Sequence, residues 1–527
     1  MKRNFKIFVF LSIVLTLLLN LGGLEVKSKS PMPENKVPGS VESVTRRLMN
    51  SLKKEGFQVE RGYFKLYTED DCQYSYEEMK NCYGNNPAAP YVFFSIPSWP
   101  EEFIDEATDN AFGPNLEGFS TSYRIDPREA IIILGVLPPQ ASYFGLQSYL
   151  FTRQDTFDTE SPTYLFMKDY APLMRMFFAT VPGNSDRVVS LASLSNSINH
   201  VVIEKQSGET FDQQRYFIIT PDDFMNDTIR KTLKKISVEE ENIFTEPIPS
   251  NMNLGLEESA DDFVTLIRYA MPEDGGEAGT LSDKWRNELP LVVLRVRDTN
   301  TERLPETYPA FTEPEKRPIA SEFYLKNDLT TLVGAVIQKW AQPQAALNTM
   351  QMLRVQPAPI NMIGPKCFEI GMNCLADTQD TSYQYSFPLP LYDDNIYAVV
   401  GTVGTRTNNA SYVGLGLTST VKMLGFDNRS DKDLEETANT YASIVNNTDK
   451  FFVYYFTRDC SGLDSLTGGN CVEIANDDLP LCMDQLDPGC NKLSISIRDY
   501  MPFGSQRGPD DNYILPSIVI PLQRPVD

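Results

Sequence analysis

Residues 141–146 read ASYFGL, and residues 410–415 repeat them as ASYVGL. In both copies a tyrosine precedes a glycine by two positions: Tyr143 with Gly145, and Tyr412 with Gly414. Side chains two apart on a strand share one face of a sheet, so each tyrosine should lie beside its glycine. A repeated strand-like segment indicates an internal duplication, which decides the architecture before any motif is considered.

Four further matches occur in the same order, and the spacing between matched residues falls along the chain from 292 to 226. They pair Asn81-Cys82 with Asn373-Cys374, residues 217–220 with 454–457, Ile267-Arg268 with Ile497-Arg498, and Leu289-Pro290 with Leu515-Pro516. Five matches in one order are hard to obtain by chance. We therefore predict a tandem duplication, with a first copy at 57–312 and a second, at 313–527, that has lost loop residues.

The segments around these matches are short, rich in β-branched and aromatic residues, and bounded by Pro, Gly or Asp. Helical periodicity is confined to a few segments: 41–54, 222–236, 330–354 and 435–445. Residues 199–205 are predicted to form a strand. The fold class predicted is mainly β (α+β), with two tandem, duplicated antiparallel β-rich domains and a few helical insertions. Each copy is expected to be a β-sandwich or a half-barrel.

The N-terminus has the pattern of an export signal. Residues 1–6 carry three basic side chains, and residues 7–19 are uncharged and mostly apolar. That apolar run is shorter than the roughly 20 residues of a membrane-spanning helix, and it matches a secretory signal better. We predict a signal peptide or N-terminal anchor at 1–28, followed by a lead-in and helix at 29–56.

The eight cysteines point to the same compartment. They fall into four close pairs, Cys72/Cys82, Cys367/Cys374, Cys460/Cys471 and Cys482/Cys490. An even number of paired cysteines behind an export signal predicts disulfides. A zinc site is disfavoured because no C-x₂-C knuckle is present and His200 is the sole histidine. The predicted location is extracytoplasmic: secreted, periplasmic or at the cell surface.

Charge narrows the possible partners. The formal net charge is −24, which repels phosphate backbones and anionic lipid. We therefore expect no nucleic acid partner, and membrane contact only through an uncleaved N-terminal segment. Four N-x-[ST] sequons, at Asn226, Asn409, Asn428 and Asn446, would accept glycans in a eukaryotic source. A chain of this size contains several by chance, so they leave the source open.

Catalytic motifs are missing from the sequence. There is no G-x-S-x-G elbow and no phosphate-binding glycine loop, and His200 is the one candidate for a histidine base. Paired carboxylates can hydrolyse glycosidic bonds without histidine. The candidate pairs are Asp105/Asp109, Asp222/Asp459, Asp261/Asp262 and Asp510/Asp511, but with 71 acidic residues in the chain such pairs are uninformative.

Calcium is the one cofactor that the sequence raises. Asp477, Asp478, Asp484 and Asp487 lie within the cysteine-rich stretch, where oxygen ligands on stapled loops could gather around an ion. The EF-hand pattern is absent, and exposed carboxylates explain the same residues.

The repeated residues Tyr143, Tyr412, Arg268 and Arg498 are the strongest clue to what the fold requires. An arginine retained in both copies could bind an anion or pair with an acidic neighbour. Active sites are rarely kept twice in a duplicated chain, so retention favours a structural framework.

Two functional classes follow. The favoured one is a secreted or surface-tethered, disulfide-stapled binding or structural module for an unknown extracellular ligand or protein. The alternative is an extracytoplasmic hydrolase, glycans being one substrate class, that uses carboxylates in a cleft between the two copies. Exposed aromatic side chains in such a cleft, with Trp99, Trp285 and Trp340 as candidates, would favour the enzyme.

Overall fold

Strands make up most of the regular structure, which is seen here in a computed structural model. It describes residues 35–84, 86–169, 171–312, 320–340, 353–354, 356–357, 363–479 and 491–525. Within the first predicted copy the strands are β1 Phe57–Arg61, β2 Tyr63–Leu66, β3 Tyr91–Pro97, β4 Phe119–Ser120, β5 Glu129–Val136, β6 Ala141–Gln154, β7 Thr180–Val181, β8 Asn184–Ser193, β9 Ile198–Asn199, β10 Gln214–Thr220, β11 Ile243–Pro247, β12 Asp262–Pro272 and β13 Leu291–Asp298.

Strands also recur through the second predicted copy. Its strands are β14 Leu353–Arg354, β15 Gln356–Pro357, β16 Thr381–Tyr385, β17 Leu389–Pro390, β18 Asn395–Thr402, β19 Tyr412–Ser419, β20 Leu424–Ser430, β21 Phe451–Thr457, β22 Cys471–Glu473, β23 Lys492–Tyr500 and β24 Ile518–Gln523.

Helices are fewer and mostly short. They are α1 Gly39–Lys54, α2 Glu69–Met79, α3 Pro162–Met167, α4 Ala171–Phe177, α5 His200–Ser207, α6 Asp223–Lys235, α7 Leu281–Glu288, α8 Lys326–Lys339, α9 Gly364–Ile370, α10 Gly404–Thr407, α11 Asp431–Leu434 and α12 Asp464–Thr467. Single 3₁₀ turns occupy Glu240–Asn242, Glu322–Leu325, Asn439–Tyr441, Thr448–Lys450 and Asp511–Tyr513. The mainly β fold with a few helices is confirmed.

The strands form four sheets whose orders correspond between the two halves. Sheet I runs β1-β13-β5-β10-β11 and sheet III runs β14-β24-β18-β21-β22. Sheet II contains β2-β3-β12-β6-β8-β7, and sheet IV contains β15-β16-β23-β19-β20. In both sheet I and sheet III the last pair, β10–β11 or β21–β22, is parallel, while the other pairs are antiparallel.

Each half is a two-sheet sandwich with a helical layer on its outer face. In the first half, apolar side chains of sheets I and II, such as Ile133 and Leu146, share one core. Helices α1 and α6 cover the other face of sheet I through Leu48 and Ile229. The second half has the same layers, because sheets III and IV share a core and α8 covers sheet III. Both halves belong to one compact unit, Glu34–Asp527.

Two helix predictions are close to the observed elements. Apolar residues at helical spacing place Val41, Leu48 and Leu52 of α1 in the core. Asp222 caps α6 as expected, since its side chain accepts a hydrogen bond from the backbone of Phe224.

Three local predictions are wrong. The strand predicted at 199–205 is replaced by a helix, because residues 200–207 form α5, which begins after a capping Asn199. Residues 435–445 form turns and a single 3₁₀ turn instead of a helix. The helix expected at 330–354 begins earlier as α8, and Leu353–Arg354 is a strand paired with β24. Periodicity over a short apolar run does not separate helix from strand, so tertiary pairing decides.

No helix within the described ranges is long and apolar enough to cross a membrane. The predicted signal or anchor at 1–28 lies outside the described residues.

Candidate functional site

The repeated hexamers lie where the two halves meet. Tyr143 of β6 and Tyr412 of β19 both contact Tyr500 of β23, with ring centroids 4.7 and 5.0 Å apart. These rings are fully buried and form one apolar cluster with Ala270 and Met501. The prediction that the hexamers belong to the framework is thus consistent with their place in the interface.

Glycine in the hexamer makes room for the tyrosine. A methyl group on Gly145 would clash with the Tyr143 hydroxyl, and one on Gly414 would lie 2.9 Å from the Tyr412 hydroxyl. Each tyrosine side chain leans toward the C-terminal end of its strand and covers the glycine that follows it by two residues. The pattern A-S-Y-x-G-L therefore encodes a close approach between a ring and a backbone.

The repeated arginines occupy equivalent places in sheets II and IV. Arg268 is paired across the sheet with Tyr91 on one side and Gly145 on the other. Arg498 is paired in the same way with Tyr383 and Gly414. Both arginines are buried. The register around the two arginines is therefore the same in both sheets.

Arg268 joins the halves directly. Its Nη1 donates to the Tyr149 hydroxyl at 2.5 Å, and its Nη2 donates to the Ala376 carbonyl of the second half at 2.6 Å. The guanidinium lies 5.4 and 5.5 Å from the ring centroids of Tyr91 and Tyr149, within cation–π range. A buried guanidinium with these contacts acts as a cross-link between the halves.

The disulfide loops Cys72–Cys82 and Cys367–Cys374 each contact the opposite half. The backbone N–H of Cys82 donates to Lys422 in the second half at 2.8 Å, and that of Cys374 donates to Ser190 in the first half at 2.7 Å. Cys82 and Cys374 are themselves a matched pair in the duplication. An interface in which equivalent residues exchange contacts is of the isologous type seen in two-fold symmetric dimers.

Two carboxylates of the second half, Asp377 and Asp380, accept hydrogen bonds from the first half. Neither forms an ion pair with a described residue. Asp380 accepts hydrogen bonds from Tyr143 and Ser197, each at 2.7 Å, and from Asn199 at 3.0 Å. Asp377 accepts from the backbone and hydroxyl of Ser193 at 2.8 and 2.6 Å. Burial raises the pKa of Asp377 to about 6 and also raises the pKa of Asp380.

A third buried carboxylate lies inside the first half. Glu246 of β11 accepts hydrogen bonds from Ser148 and Ser195, both at 2.7 Å from the serine hydroxyls, and has no cationic partner among the described residues. Burial raises its pKa to about 7, a shift opposed by those hydrogen bonds. No sequence pattern marks Glu246, Asp377 or Asp380, because the burial of a single acidic residue depends on strands that are distant in the chain.

His200 does not form a catalytic pair among the described residues. It is the first residue of α5, and its ring lies 6.0 Å from that of Tyr143 and 6.1 Å from that of Phe211. Burial lowers its pKa to about 4, so the imidazole is neutral. No serine or cysteine of the described chain is hydrogen-bonded to it.

Three of the four predicted disulfides are present: Cys72–Cys82, Cys367–Cys374 and Cys460–Cys471. Cys482 and Cys490 lie outside the described residues. These bonds fit an extracytoplasmic protein, since disulfides persist in oxidising compartments.

The predicted calcium ligands are not brought together in the described part of the chain. Asp477 and Asp478 are exposed, and Asp484 and Asp487 lie outside the described residues. No group of three or more potential metal ligands occurs among the described side chains.

Most of the predicted carboxylate pairs are engaged in structural contacts. Asp222 is buried and pairs with Arg303, whereas its counterpart Asp459 is exposed and pairs with Arg524 at 3.2 Å. Asp261 pairs with Arg153 at 2.6 Å. Asp262 lies between Arg124 and Arg187, each at 2.9 Å. Asp510 caps a 3₁₀ turn, and Asp511 accepts a hydrogen bond from Ser382.

Asp105 and Asp109 line a small cavity with Arg124 and Asp262. Its volume of about 10 Å³ is near the minimum that holds one water molecule and is far too small for a sugar. Burial raises the pKa of Asp109.

A larger cleft lies at the edge of the second half. It has a volume of about 500 Å³ and is lined by Asp393, Asp394, Arg458, Asp459, Glu473, Ile474, Ala475, Asn476 and Arg524. The two arginines are held by backbone carbonyls, such as that of Leu479 for Arg458 and that of Ser461 for Arg524. A hydrogen bond from Ser461 lowers the pKa of Asp459. This carboxylate-lined cleft, which we call the acidic cleft, is within one half, not between the two.

Comparisons with known proteins add no function. No protein family matches the sequence, and no curated protein is significantly similar to it. A structural-genomics crystal structure of a Vibrio parahaemolyticus protein is 8% identical, with a TM-score of 0.34 over 91% of this chain and 96% of that one. A putative uncharacterized protein from Burkholderia cenocepacia is also 8% identical, with a TM-score of 0.33 over 94% and 92%. Similarity at this level supports no conclusion about activity.

Proposed function

We propose that this chain is an exported binding or structural module, not an enzyme. The observation that carries the proposal is the use made of the repeated residues. Tyr143, Tyr412, Arg268 and Arg498 are all buried where the two halves meet. Tyr143 and Arg268 make contacts between the halves, and all four side chains are too buried to meet a ligand. A ligand must therefore bind at a different, exposed surface. The acidic cleft is exposed and is large enough to hold a small ligand.

The hydrolase alternative has weaker support. A glycosidase needs one carboxylic acid that is protonated near neutral pH and a second that is ionised. In the acidic cleft, the pKa of Asp459 is lowered, which is opposite to what a general acid needs. The three tryptophans that could have stacked on a sugar are buried, at 3–5% exposure.

The first experiment is a thermal-shift measurement on the mature protein with calcium, with EDTA and with a panel of glycans and basic peptides. A ligand that binds only the folded state at about 100 times its Kd stabilises by about 2.7 kcal/mol, which is a measurable shift. A ligand of the acidic cleft should lose its shift in D393N/D394N.

The matched control is D477N/D478N, which removes the same charge from exposed positions beside the cleft. A ligand shift that survives D393N/D394N would place binding outside the cleft. If the protein hydrolysed a glycan and E473Q abolished that activity, the hydrolase would be the correct function and the binding module would be wrong. A calcium shift lost only in D477N/D478N would identify a structural ion near the cysteine-rich stretch.

A further inference from the structure

The asparagines of the four glycosylation sequons differ in how far the fold exposes them to solvent. Asn446 is exposed in a turn between two 3₁₀ segments. Asn226 lies on α6, where its Oδ1 accepts from Thr245 at 2.6 Å and from Arg230 at 3.0 Å. Of the other two asparagines, Asn409 is buried and Asn428 is half-buried.

Asn409 is the most enclosed. It is 1% exposed, and its Nδ2 donates to the Glu322 carboxylate at 2.9 Å. Glu322 is equally buried and also accepts from Thr402 at 2.7 Å and from Thr407 at 2.6 Å. The amide nitrogen that a glycan would use is therefore part of a hydrogen-bonded cluster under the sheet.

Asn428 is on β20, opposite Gly416 of β19. Its Oδ1 is buried, and it lies over the backbone of Gly414, since a methyl group there would be 3.0 Å from it. A sugar on this side chain would have to displace it from the interface-facing sheet IV.

N-glycosylation changes the Nδ2 atom itself. The amide nitrogen forms a bond to the anomeric carbon of a lipid-linked oligosaccharyl diphosphate. The bond from that carbon to the diphosphate oxygen breaks, and the diphosphate leaves while one amide proton is released. In a eukaryotic secretory pathway this transfer acts on the emerging chain, before burial can protect an asparagine. A bulky hydrophilic group at a site with no exposed surface then opposes folding.

We infer that folding and glycosylation of Asn409 exclude each other, and that this chain reaches its compartment by an export route without N-glycosylation of the unfolded chain. Asn446, by contrast, is exposed and remains accessible to modification in the folded protein. This inference is independent of the ligand of the acidic cleft. Disulfides form in both the bacterial periplasm and the eukaryotic secretory pathway, so they do not distinguish these two export routes, whereas the burial of Asn409 does.

The test is to express the full chain in two ways, in a bacterial periplasm and in the secretory pathway of a cultured eukaryotic cell. We expect folded, unmodified protein from the first. From the second we expect at least a tenfold lower yield, with retained material carrying sugar on Asn409. The rescue variant is S411A/N428D, which removes the sequons at Asn409 and Asn428. The Ser411 hydroxyl makes no hydrogen bond with the described residues, and Asp keeps the shape of Asn428.

Two controls keep the outcome decisive. The rescue variant made in the bacterial periplasm must melt within a few degrees of the wild type, which separates glycan effects from damage to the fold. The variant N446Q removes only the exposed sequon and should not restore secretion. Efficient secretion of native wild-type protein from the eukaryotic cell, with or without sugar on Asn409, would overturn the inference. Failure of S411A/N428D to raise the yield would overturn it as well.

Discussion

The two halves share one arrangement of strands but stabilise it differently. In sheet I, Arg295 lies opposite Ile131, and the equivalent pair in sheet III is Pro521 and Tyr397. Arg295 is fully buried and pairs with Glu129 and Glu102, whereas Pro521 has no charge to neutralise. The β10–β11 crossover of the first half contains the 13-residue helix α6, whereas the β21–β22 crossover contains the four-residue helix α12 and is closed by Cys460–Cys471. The same strand order is therefore compatible with a buried ion cluster and a long crossover helix in one half, and with a short helix and a disulfide in the other.

The largest difference should appear when a buried charge loses its partner. Arg295→Met leaves Glu129 and Glu102 without their cation, so we expect the free energy of unfolding to fall by about 3–5 kcal/mol. The equivalent change Pro521→Val removes no ionic partner and should cost less than about 1 kcal/mol. Urea denaturation of both variants measures the difference. Equal losses would show that the ion cluster is not what distinguishes the halves.

The second difference is a dependence of stability on pH. Glu246 of β11 has Val472 as its equivalent in β22, as the pairings with Ile219 and Phe456 show. Because the folded-state pKa of Glu246 is raised from 4.5 to about 7, the folded protein holds this proton more tightly than the unfolded chain. Its contribution to stability is therefore full below about pH 4.5 and is lost as pH rises to about 7. The loss is about 3 kcal/mol, and Asp377 acts in the same direction.

Melting temperatures at pH 5 and pH 8 test this expectation. Wild-type protein should melt at the higher temperature at pH 5, and Glu246→Gln should reduce the difference. The exposed Glu258→Gln serves as the control and should keep it. A full pH difference in Glu246→Gln would assign the effect to other groups.

The interface provides the third comparison. Asp380 accepts three hydrogen bonds from the first half, while Ala88, its equivalent along the first-half loop, accepts none through its side chain. Asp380→Ala removes the acceptor of the buried Tyr143 and Ser197 hydroxyls and one of two acceptors of the Asn199 amide, and we expect a loss of about 2 kcal/mol. Ala88→Ser, measured alongside by chemical denaturation, should change stability by less than about 0.5 kcal/mol. A neutral Asp380→Ala would show that the Asp380 hydrogen bonds do not distinguish the two loops in their contribution to stability.

The smallest effect concerns the disulfides. Cys460 and Cys471 are half-buried, whereas Cys72, Cys82, Cys367 and Cys374 are buried. Under mild reduction of the folded protein, alkylation and mass spectrometry should detect modified Cys460 and Cys471 first. Labelling of the interface loops before these residues would mean that the interface opens more readily than the crossover.

Much of the fold follows from local sequence. The alternating Tyr and Gly of the hexamers, the helix cap at Asp222 and the close cysteine pairs each act over a few residues, so their signal is local. Residues 199–205 show the limit, because a short apolar run satisfies both periods and the capping Asn199 side chain starts a helix there.

The site could be predicted less well. The repeat in the sequence singles out Arg268 and Arg498. Whether each side chain faces solvent, a ligand or the opposite half depends on how the sheets pack, which the sequence does not show. Glu246 and Asp380 carry no sequence mark at all, since burial comes from strands distant in the chain.

The sequence by itself determined the strand-rich class and three disulfide pairs, because periodicity and cysteine spacing are properties of neighbouring residues. Only the tertiary structure decided that the halves meet in a reciprocal interface, that the repeated residues are internal, and that Asn409 is enclosed. Those properties depend on which surfaces leave water together, and that is fixed by contacts between residues hundreds of positions apart.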